Sequence, residues 1–471
     1  LILQFSIRRT ILLPTIAATL TLLFGCSSND LNPIASEENT TSIESPTILR
    51  LAVQSSVHTQ VLEEMIEQYN AKHDDYQVEI VSLPRERYDE TLNMLLTSGQ
   101  MPDLFQASPG WLSTYIYKNW LMDLSKLAQP EVLGEYPAWA LDYTRDNSHF
   151  YALPAEFVSL RLVYNKDMFG QAGLNPEQPP RTLQELKTKA NQISKAGIGY
   201  GLYGFGLPAG DIETYRLALE TSSTSSGYYY YDFSKGKYDF TVYQSWFETM
   251  LEMKKDGGLF PGETALMRET ALAQFKQGNI GMMYLTNREY SELNRNSKLN
   301  FTPGVALPPQ NNAGSPKGAL MVSLQHPTVI SATTPYKKEA SELWNYLHST
   351  AFLSSMYERG DLIPIPEHAR QSEMKASNWL KEFLPGNNES PYPREPKFIL
   401  PWTSGDTIRM TAYTEIMQGQ QKPLNSLIQL TEQHTKYLSD IIYRNYININ
   451  DYMEEDFNPL FPMKQYNNQK R

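Results

Sequence analysis

Between residues 48 and 105 the period of the apolar positions changes four times. Residues 48–53, Ile-Leu-Arg-Leu-Ala-Val, are almost continuously apolar, as a buried strand is. Over 59–69 the apolar residues fall at Val61, Leu62, Met65, Ile66 and Tyr69, the spacing of one helix face. Residues 76–81 then alternate, with Val78 and Ile80 on one side. Residues 87–96 return to helical spacing and end near Gly99, and Pro102-Asp103-Leu104-Phe105 leads into a third strand. Strand, helix, strand, helix, strand predicts an α/β lobe with a largely parallel sheet. Ligands of such sheets sit at the carboxyl ends of strands, where the strand order switches. The loops 54–58 and 107–111 are therefore the first places to look for a site.

The middle of the chain repeats the pattern less cleanly. Leu162-Val163-Tyr164 predicts a strand, and 182–193 a helix opened by a capping box of Thr182 and Glu185. Residues 238–256 read as one long helix, 271–276 as a helix and 280–284 as a short strand. Helices are also expected over 335–348, 407–417 and 426–446. The turn-rich stretches 197–210, 308–318 and 383–397 read as loops. The run Tyr228-Tyr229-Tyr230-Tyr231 follows Ser- and Thr-rich residues 222–227, which read as an exposed loop leading to a hairpin. No internal repeat of fixed period is present.

The N-terminus has a different character. Arg8-Arg9 precede an apolar run over 11–24, the n-region and h-region of a secretory signal. The run is shorter than the roughly 20 residues that span a bilayer. It ends in Leu23-Phe24-Gly25-Cys26-Ser27, which resembles the bacterial lipobox, with Phe24 where a small or β-branched residue is usual. Residues 1–25 are read as a lipoprotein signal peptide. Cys26 is the chain's single cysteine. A lone cysteine forms no disulfide within the chain, so a buried thiol and a lipidated N-terminus are the two readings, and its position favours lipid. Residues 26–46 are rich in Ser, Asn, Thr, Glu and Pro and read as a flexible tether. The body is expected on the extracytoplasmic side of the cell membrane, held by that lipid.

Length and charge narrow the partners. At 471 residues and 41% hydrophobic, the chain has material for two or three domains at roughly 150 residues each. Net charge is −11, and −13 once residues 1–25 are removed with Arg8 and Arg9. Such a surface repels nucleic acid and anionic lipid, so no nucleic-acid partner is expected. The histidines at 58, 73, 149, 326, 348, 368 and 434 form no metal motif, and no G-x-S-x-G turn occurs. Gly197-Ile198-Gly199-Tyr200-Gly201 lacks the lysine of a phosphate loop. No cofactor, metal or catalytic residue is expected.

A spaced series of motifs then resembles one family. These are the strand near 49–53 with a helix ending Glu67-Gln68-Tyr69-Asn70, and Gly99-Gln100-Met101-Pro102-Asp103-Leu104-Phe105. Tyr151-Ala152-Leu153-Pro154 and Tyr164-Asn165-Lys166-Asp167-Met168-Phe169 follow, then Pro180-Arg181-Thr182. Phe275-Lys276-Gln277-Gly278-Asn279-Ile280-Gly281-Met282, Trp344-Asn345-Tyr346-Leu347 and Glu415-Ile416-Met417 complete the series. The chain is similar over nearly all of 47–446 to the extracellular solute-binding proteins of carbohydrate ABC importers, the group that includes maltose-binding protein. The resemblance implies a two-lobed α/β fold, each lobe a mainly parallel sheet flanked by helices. Lobe 1 would take 47–155 and 325–364, and lobe 2 would take 156–324 and 365–471. Hinge strands would cross near 155–157, 321–325 and 362–365. It implies a monomer that closes on a carbohydrate, an oligosaccharide by preference, and delivers it to permease subunits.

A sugar offers C–H faces to aromatic rings and hydroxyls to polar side chains. Trp111, at a strand's carboxyl end, is a candidate against the alternative of packing on its own helix. Trp402 matches in position a tryptophan of the family that stacks on sugar. Glu156 lies at the first hinge crossing, where a carboxylate binds ligand or forms a salt bridge. Ser55, Ser56 and His58 follow the first strand, and Tyr284 and Asn287 follow Gly278-Asn279. Asp103 is a candidate whose turn-fixing role is the stronger reading. Gly318 allows close backbone approach or an ordinary turn. Two other classes share these features: a lipid-anchored carbohydrate-active enzyme and a sugar-sensing surface protein. Turnover would mark the first and a receptor partner the second.

Overall fold

The computed structural model describes residues 46–463 except 57, 147–148, 211, 296–298, 312–313, 315, 326, 372–376 and 397–404. Cys26, the signal peptide, the tether up to residue 45 and Trp402 lie outside the described residues.

The first lobe opens as its periodicity predicts. Strand β1 (Thr47–Gln54), helix α1 (Thr59–Asn70), strand β2 (Tyr76–Leu83), helix α2 (Tyr88–Thr97), strand β3 (Leu104–Gln106) and helix α3 (Pro109–Tyr117) follow in order. β1 lies between β2 and β3 and is parallel to both. Thr328–Ile330 joins β3 antiparallel and closes the sheet. A central strand covered on both faces needs apolar side chains on both, which is why Leu49, Leu51, Ala52 and Val53 are all buried. α1 buries Val61, Met65, Ile66 and Tyr69 against this sheet.

The second lobe is built on a sheet ordered Pro303–Ala306, Leu160–Asn165, Ile280–Thr286, Tyr203–Gly206. Its pairing is mixed: the first two pairs are antiparallel and the last parallel. The family-like run ending at Phe169 has a local explanation. Asn165 ends the strand, and its side chain accepts the N–H groups of Asp167 and Met168, both at 3.0 Å. That cap starts helix Lys166–Gln171 and turns Met168 and Phe169 into the core. The Thr182 half of the expected capping box forms, while Glu185 reaches back one residue beyond the N-cap. The Thr182 hydroxyl oxygen accepts the Glu185 N–H at 3.1 Å, and the Glu185 carboxylate accepts the Arg181 N–H at 2.8 Å.

Three expectations give way. The stretch 197–210 contains a strand, Tyr203–Gly206, hidden from periodicity because Gly204 must lie against helix Leu183–Ala196. A Cβ there would come within 2.0 Å of the Ala190 carbonyl oxygen. Residues 222–225 are not an exposed loop: helix Ile212–Thr224 takes in the first three, Ser225 follows it directly, and all four are buried. Hydroxyls of this run bond their own turn, Thr224 to the Thr221 carbonyl and Ser225 to the Ser222 carbonyl, which lowers the cost of burying them. The long helix expected over 238–256 begins as a 3-10 turn, Phe240–Tyr243, before helix Gln244–Lys255. The C-terminal helix Pro423–Tyr443 packs Leu427, Leu430, Leu438 and Ile441 into the second lobe's core.

A small antiparallel sheet joins three separate segments: Ser323–Gln325, Glu156–Val158 and Ile363–Pro364. Glu156 lies in its central strand, opposite Gln325 on one side and Pro364 on the other.

Candidate ligand-binding cleft

A cavity of about 420 Å³ is lined by residues from both lobes and from the three-stranded sheet. From the first lobe, Gln54 ends β1, Arg85 and Tyr88 follow β2, and Ser108 and Trp111 follow β3. All three loops lie at the carboxyl ends of parallel strands, as sheets of this kind require. Tyr88 is fixed by donating its hydroxyl to the Gln106 carbonyl at 2.8 Å. Ser108 donates to the Asp89 carboxylate at 2.5 Å, tying the start of α3 to α2. Trp111 is half-buried and stacks on Tyr115, with centroids 5.7 Å apart and planes at 21°.

The second lobe contributes Arg216, Tyr229, Arg288 and Tyr392. Arg216 grips Glu220 on its own helix through two contacts of 2.7 and 2.8 Å, with the carboxylate buried behind it. Tyr229 stacks between Phe233 and Tyr392, at 5.6 and 5.4 Å. Burial holds its phenol well above the usual range, so it remains a neutral ring and hydroxyl. Tyr392 is held by donating to the Ala319 carbonyl at 2.9 Å. Behind this wall Tyr230 donates to Glu395, and Arg409 donates to the Tyr230 oxygen at 2.8 Å.

Of the residues expected at the site, Trp111 lines the cavity. Glu156 lies one layer behind: its carboxylate accepts Nε and Nη2 of Arg288, and it is Arg288 that lines the wall. Ser55 and Ser56 are exposed; the Ser55 N–H donates to the Leu83 carbonyl, and the Ser56 hydroxyl accepts the His58 N–H. His58 meets Asp361 at 2.6 Å, and Arg295 of the second lobe donates to the same carboxylate oxygen. Asp103 fixes the turn into β3, accepting the Arg50 N–H at 2.8 Å and the Thr334 hydroxyl at 2.7 Å. Tyr284 is buried edge-on to Phe205. Asn287 is buried, and its side-chain oxygen accepts the Ser159 N–H at 3.1 Å. Gly318 does bring backbones together, since a Cβ there would come within 2.2 Å of the Thr224 carbonyl oxygen. Arg85 was legible by the rule applied to β1 and β3, because it follows β2 in the same parallel sheet. Arg216 and Tyr392 left no local signal, and the tyrosine run, where ligand contact was the weaker reading, did not single out Tyr229; long-range packing brings them together.

Among the described residues no group of three or more His, Cys, Asp or Glu side chains is placed to hold a metal ion, and no helix is long and apolar enough to cross a membrane. Residues 55–351 match the family of bacterial extracellular solute-binding proteins. The chain belongs to that family. This solute-binding protein is 24% identical to a binding protein of Brucella abortus (strain 2308) over 67% of its own length and 75% of the relative's. In fold it is similar to an ABC transporter solute-binding protein of Thermotoga lettingae bound with alpha-D-tagatose, with a TM-score of 0.71 and 21% identity. That match covers 83% of this chain and all of the other. Maltose-bound T. maritima MalE3 matches with a TM-score of 0.69 and 20% identity, covering 84% of this chain and all of that one. The two-lobed α/β architecture of these binding proteins is the architecture of this chain.

Proposed function

We propose that this solute-binding protein captures a sugar in the cleft by closure of its two lobes and delivers it to the permease of an ABC importer. The observation that carries the reading is the composition of the cleft wall. Aromatic faces, Trp111 from one lobe and Tyr229 with Tyr392 from the other, flank arginine, glutamine and serine side chains around about 420 Å³. Apolar faces with a few fixed polar groups suit a pyranose, and the volume lies within the usual range for small-ligand sites, about 300–1,000 Å³. The tagatose- and maltose-bound neighbours support the same class of ligand. An oligosaccharide of few units is the favoured cargo. In this reading the segments Glu156–Val158, Ser323–Gln325 and Ile363–Pro364, which pair in one sheet, act as the hinge, with lobe boundaries near 155, 325 and 364. Ligand contacts to both lobes then shift the population to the closed form. Lipid on Cys26 keeps the protein at the membrane beside its permease, and the protein works as a monomer.

A thermal-shift screen of the full chain against mono- and oligosaccharides, confirmed by calorimetry, tests the ligand class. At about 100 times its dissociation constant a ligand stabilises by about 2.7 kcal/mol. No shift with any sugar would remove this reading, and breakdown of the sugar would turn it to catalysis. Metabolic labelling with a radioactive fatty acid tests the anchor: label should enter the wild type and be absent from Cys26→Ser.

A further inference from the structure

A second cavity, of about 450 Å³, adjoins the cleft. Tyr143, Pro393 and Arg394 line both, so the two compartments meet at those residues. Like the cleft, the second compartment is built from both lobes. The first lobe supplies helix Ala138–Tyr143, with Trp139, Asp142 and Tyr143 on the wall. Trp139 stacks on Phe157 of the three-stranded sheet, with centroids 6.1 Å apart and planes at 29°, which fixes the helix beside that sheet.

The facing wall is the segment after the C-terminal helix, where Asp451 and Tyr452 end a 3-10 turn, Ile449–Tyr452. This segment lies beyond residues 55–351, the stretch that matches the family. It is tied firmly to the second lobe. The Glu454 N–H donates to the Phe233 carbonyl at 2.9 Å, and the Ala319 N–H donates to the Pro459 carbonyl at 2.8 Å. The Phe457 ring meets Phe233 at 4.9 Å and Tyr392 at 6.2 Å. Phe233 and Tyr392 are also the rings between which Tyr229 stacks on the cleft wall. One aromatic stack therefore supports both compartments.

The chemistry of the second compartment suits a sugar. The Arg394 guanidinium stands over the Tyr452 ring, 6.0 Å from its centroid, and fixes the ring at the junction side. Tyr452 is half-buried, and Asp451 beside it is exposed. A ring that covers C–H groups and a carboxylate that accepts hydroxyl hydrogens are the two contacts a pyranose needs. We propose that this compartment is a further subsite, and that one oligosaccharide fills both compartments by running past Tyr143 and Arg394 to Tyr452 and Asp451. Units in each compartment and one at the junction make a trisaccharide the shortest chain that fills the site. This rests on the sugar reading of the cleft and deepens it.

The test is calorimetry on the full chain in neutral detergent, with α-1,4-glucan, β-1,4-glucan and β-1,4-xylan series, each from monosaccharide to hexasaccharide. In at least one series the affinity should rise tenfold or more from the disaccharide to the tetrasaccharide. Tyr452→Ala should remove at least fivefold of that rise and leave the disaccharide's affinity within twofold. Asp451→Asn, a conservative change at an exposed position, should remove at least threefold, and it decides the matter if loss of the Tyr452 ring unfolds the protein. An affinity flat with length overturns the subsite and leaves sugar capture standing. A rise that survives in every folded variant overturns it too, as does an equal loss for short and long members. If no member of any series binds, sugar capture falls with it.

Discussion

The ring of Tyr117, at the end of α3, meets the ring of Tyr446 edge-on, with centroids 4.7 Å apart and planes at 65°. α3 packs with the first sheet through Leu112 and Tyr115, whereas Tyr446 packs against the core of the second lobe. The contact therefore joins the lobes. Aromatic pairs of this geometry contribute about 0.5–1.5 kcal/mol beyond buried area. Tyr117→Ala should move the unliganded protein towards an open form and weaken ligand binding by about two- to tenfold. Small-angle scattering and calorimetry on the same variant check it, and an unchanged radius and affinity would remove the contact from the closure mechanism.

Trp111 is held on the cleft wall by its stacking on Tyr115. Replacing it by alanine removes a large apolar face from the site. Sugar affinity should fall by about 1–3 kcal/mol, with the melting temperature of the free protein little changed because the ring is only half-buried. Equal affinity in Trp111→Ala would take this residue out of the site.

A third expectation concerns Arg161. Its guanidinium is buried in the second lobe and forked onto Glu389 at 2.6 and 2.9 Å. It also donates to the carbonyls of Glu382 and Leu384 at 2.7 and 3.1 Å, so one side chain ties down the stretch that leads back towards the cleft. Arg161→Leu removes the guanidinium from the buried Glu389 carboxylate, which still accepts the Gly386 N–H at 2.8 Å. Breaking such a pair costs about 3–5 kcal/mol. Urea unfolding should show a lowered midpoint, and Arg161→Leu/Glu389→Gln should recover part of the loss. A midpoint within error of wild type would mean that the pair is not buried in solution.

Two histidines whose pKa burial lowers, His58 to about 3 and His348 to about 4, make stability depend on pH, and His348 is the simpler to test. The imidazole is buried between the Trp344 and Leu153 carbonyl oxygens, and burial lowers its pKa to about 4. An unfolded histidine titrates near 6.5, so between those values the unfolded chain binds the extra proton and the folded one does not. Stability should thus be complete above about pH 6.5 and fall as the pH drops towards 4, by up to about 1.4 kcal/mol per pH unit from this group. His348→Gln should flatten that slope. Thermal melts from pH 7.5 to 4.5 measure it, and an equal slope in the variant would assign the effect elsewhere.

The sequence made the first lobe legible because its helices and strands have one buried face each, and that leaves a period. It was less informative where burial is polar or the side chain is absent. Thr224 and Ser225 hide their hydroxyls by bonding within their own turn, and Tyr203–Gly206 contains glycines at its second and fourth positions. The site shows the same division. Trp111 follows from the carboxyl-end rule, and Arg85 would have followed from it. Glu156 was placed near the hinge, but only the structure shows Arg288 standing between it and the cleft. Tyr229 lies in a tyrosine run whose neighbour Tyr230 is buried and whose neighbour Tyr228 is exposed. No local pattern separates the three, because the choice is made by Phe233 and Tyr392.

Sugar capture by lobe closure is the central claim, and small-angle scattering of the full chain during a saccharide titration tests it most directly. The account predicts a one-to-one ligand that lowers the radius of gyration as it binds, with the change tracking the calorimetric saturation curve. A saccharide that binds with no change in radius would contradict closure, and a broad panel in which none binds would contradict sugar capture itself.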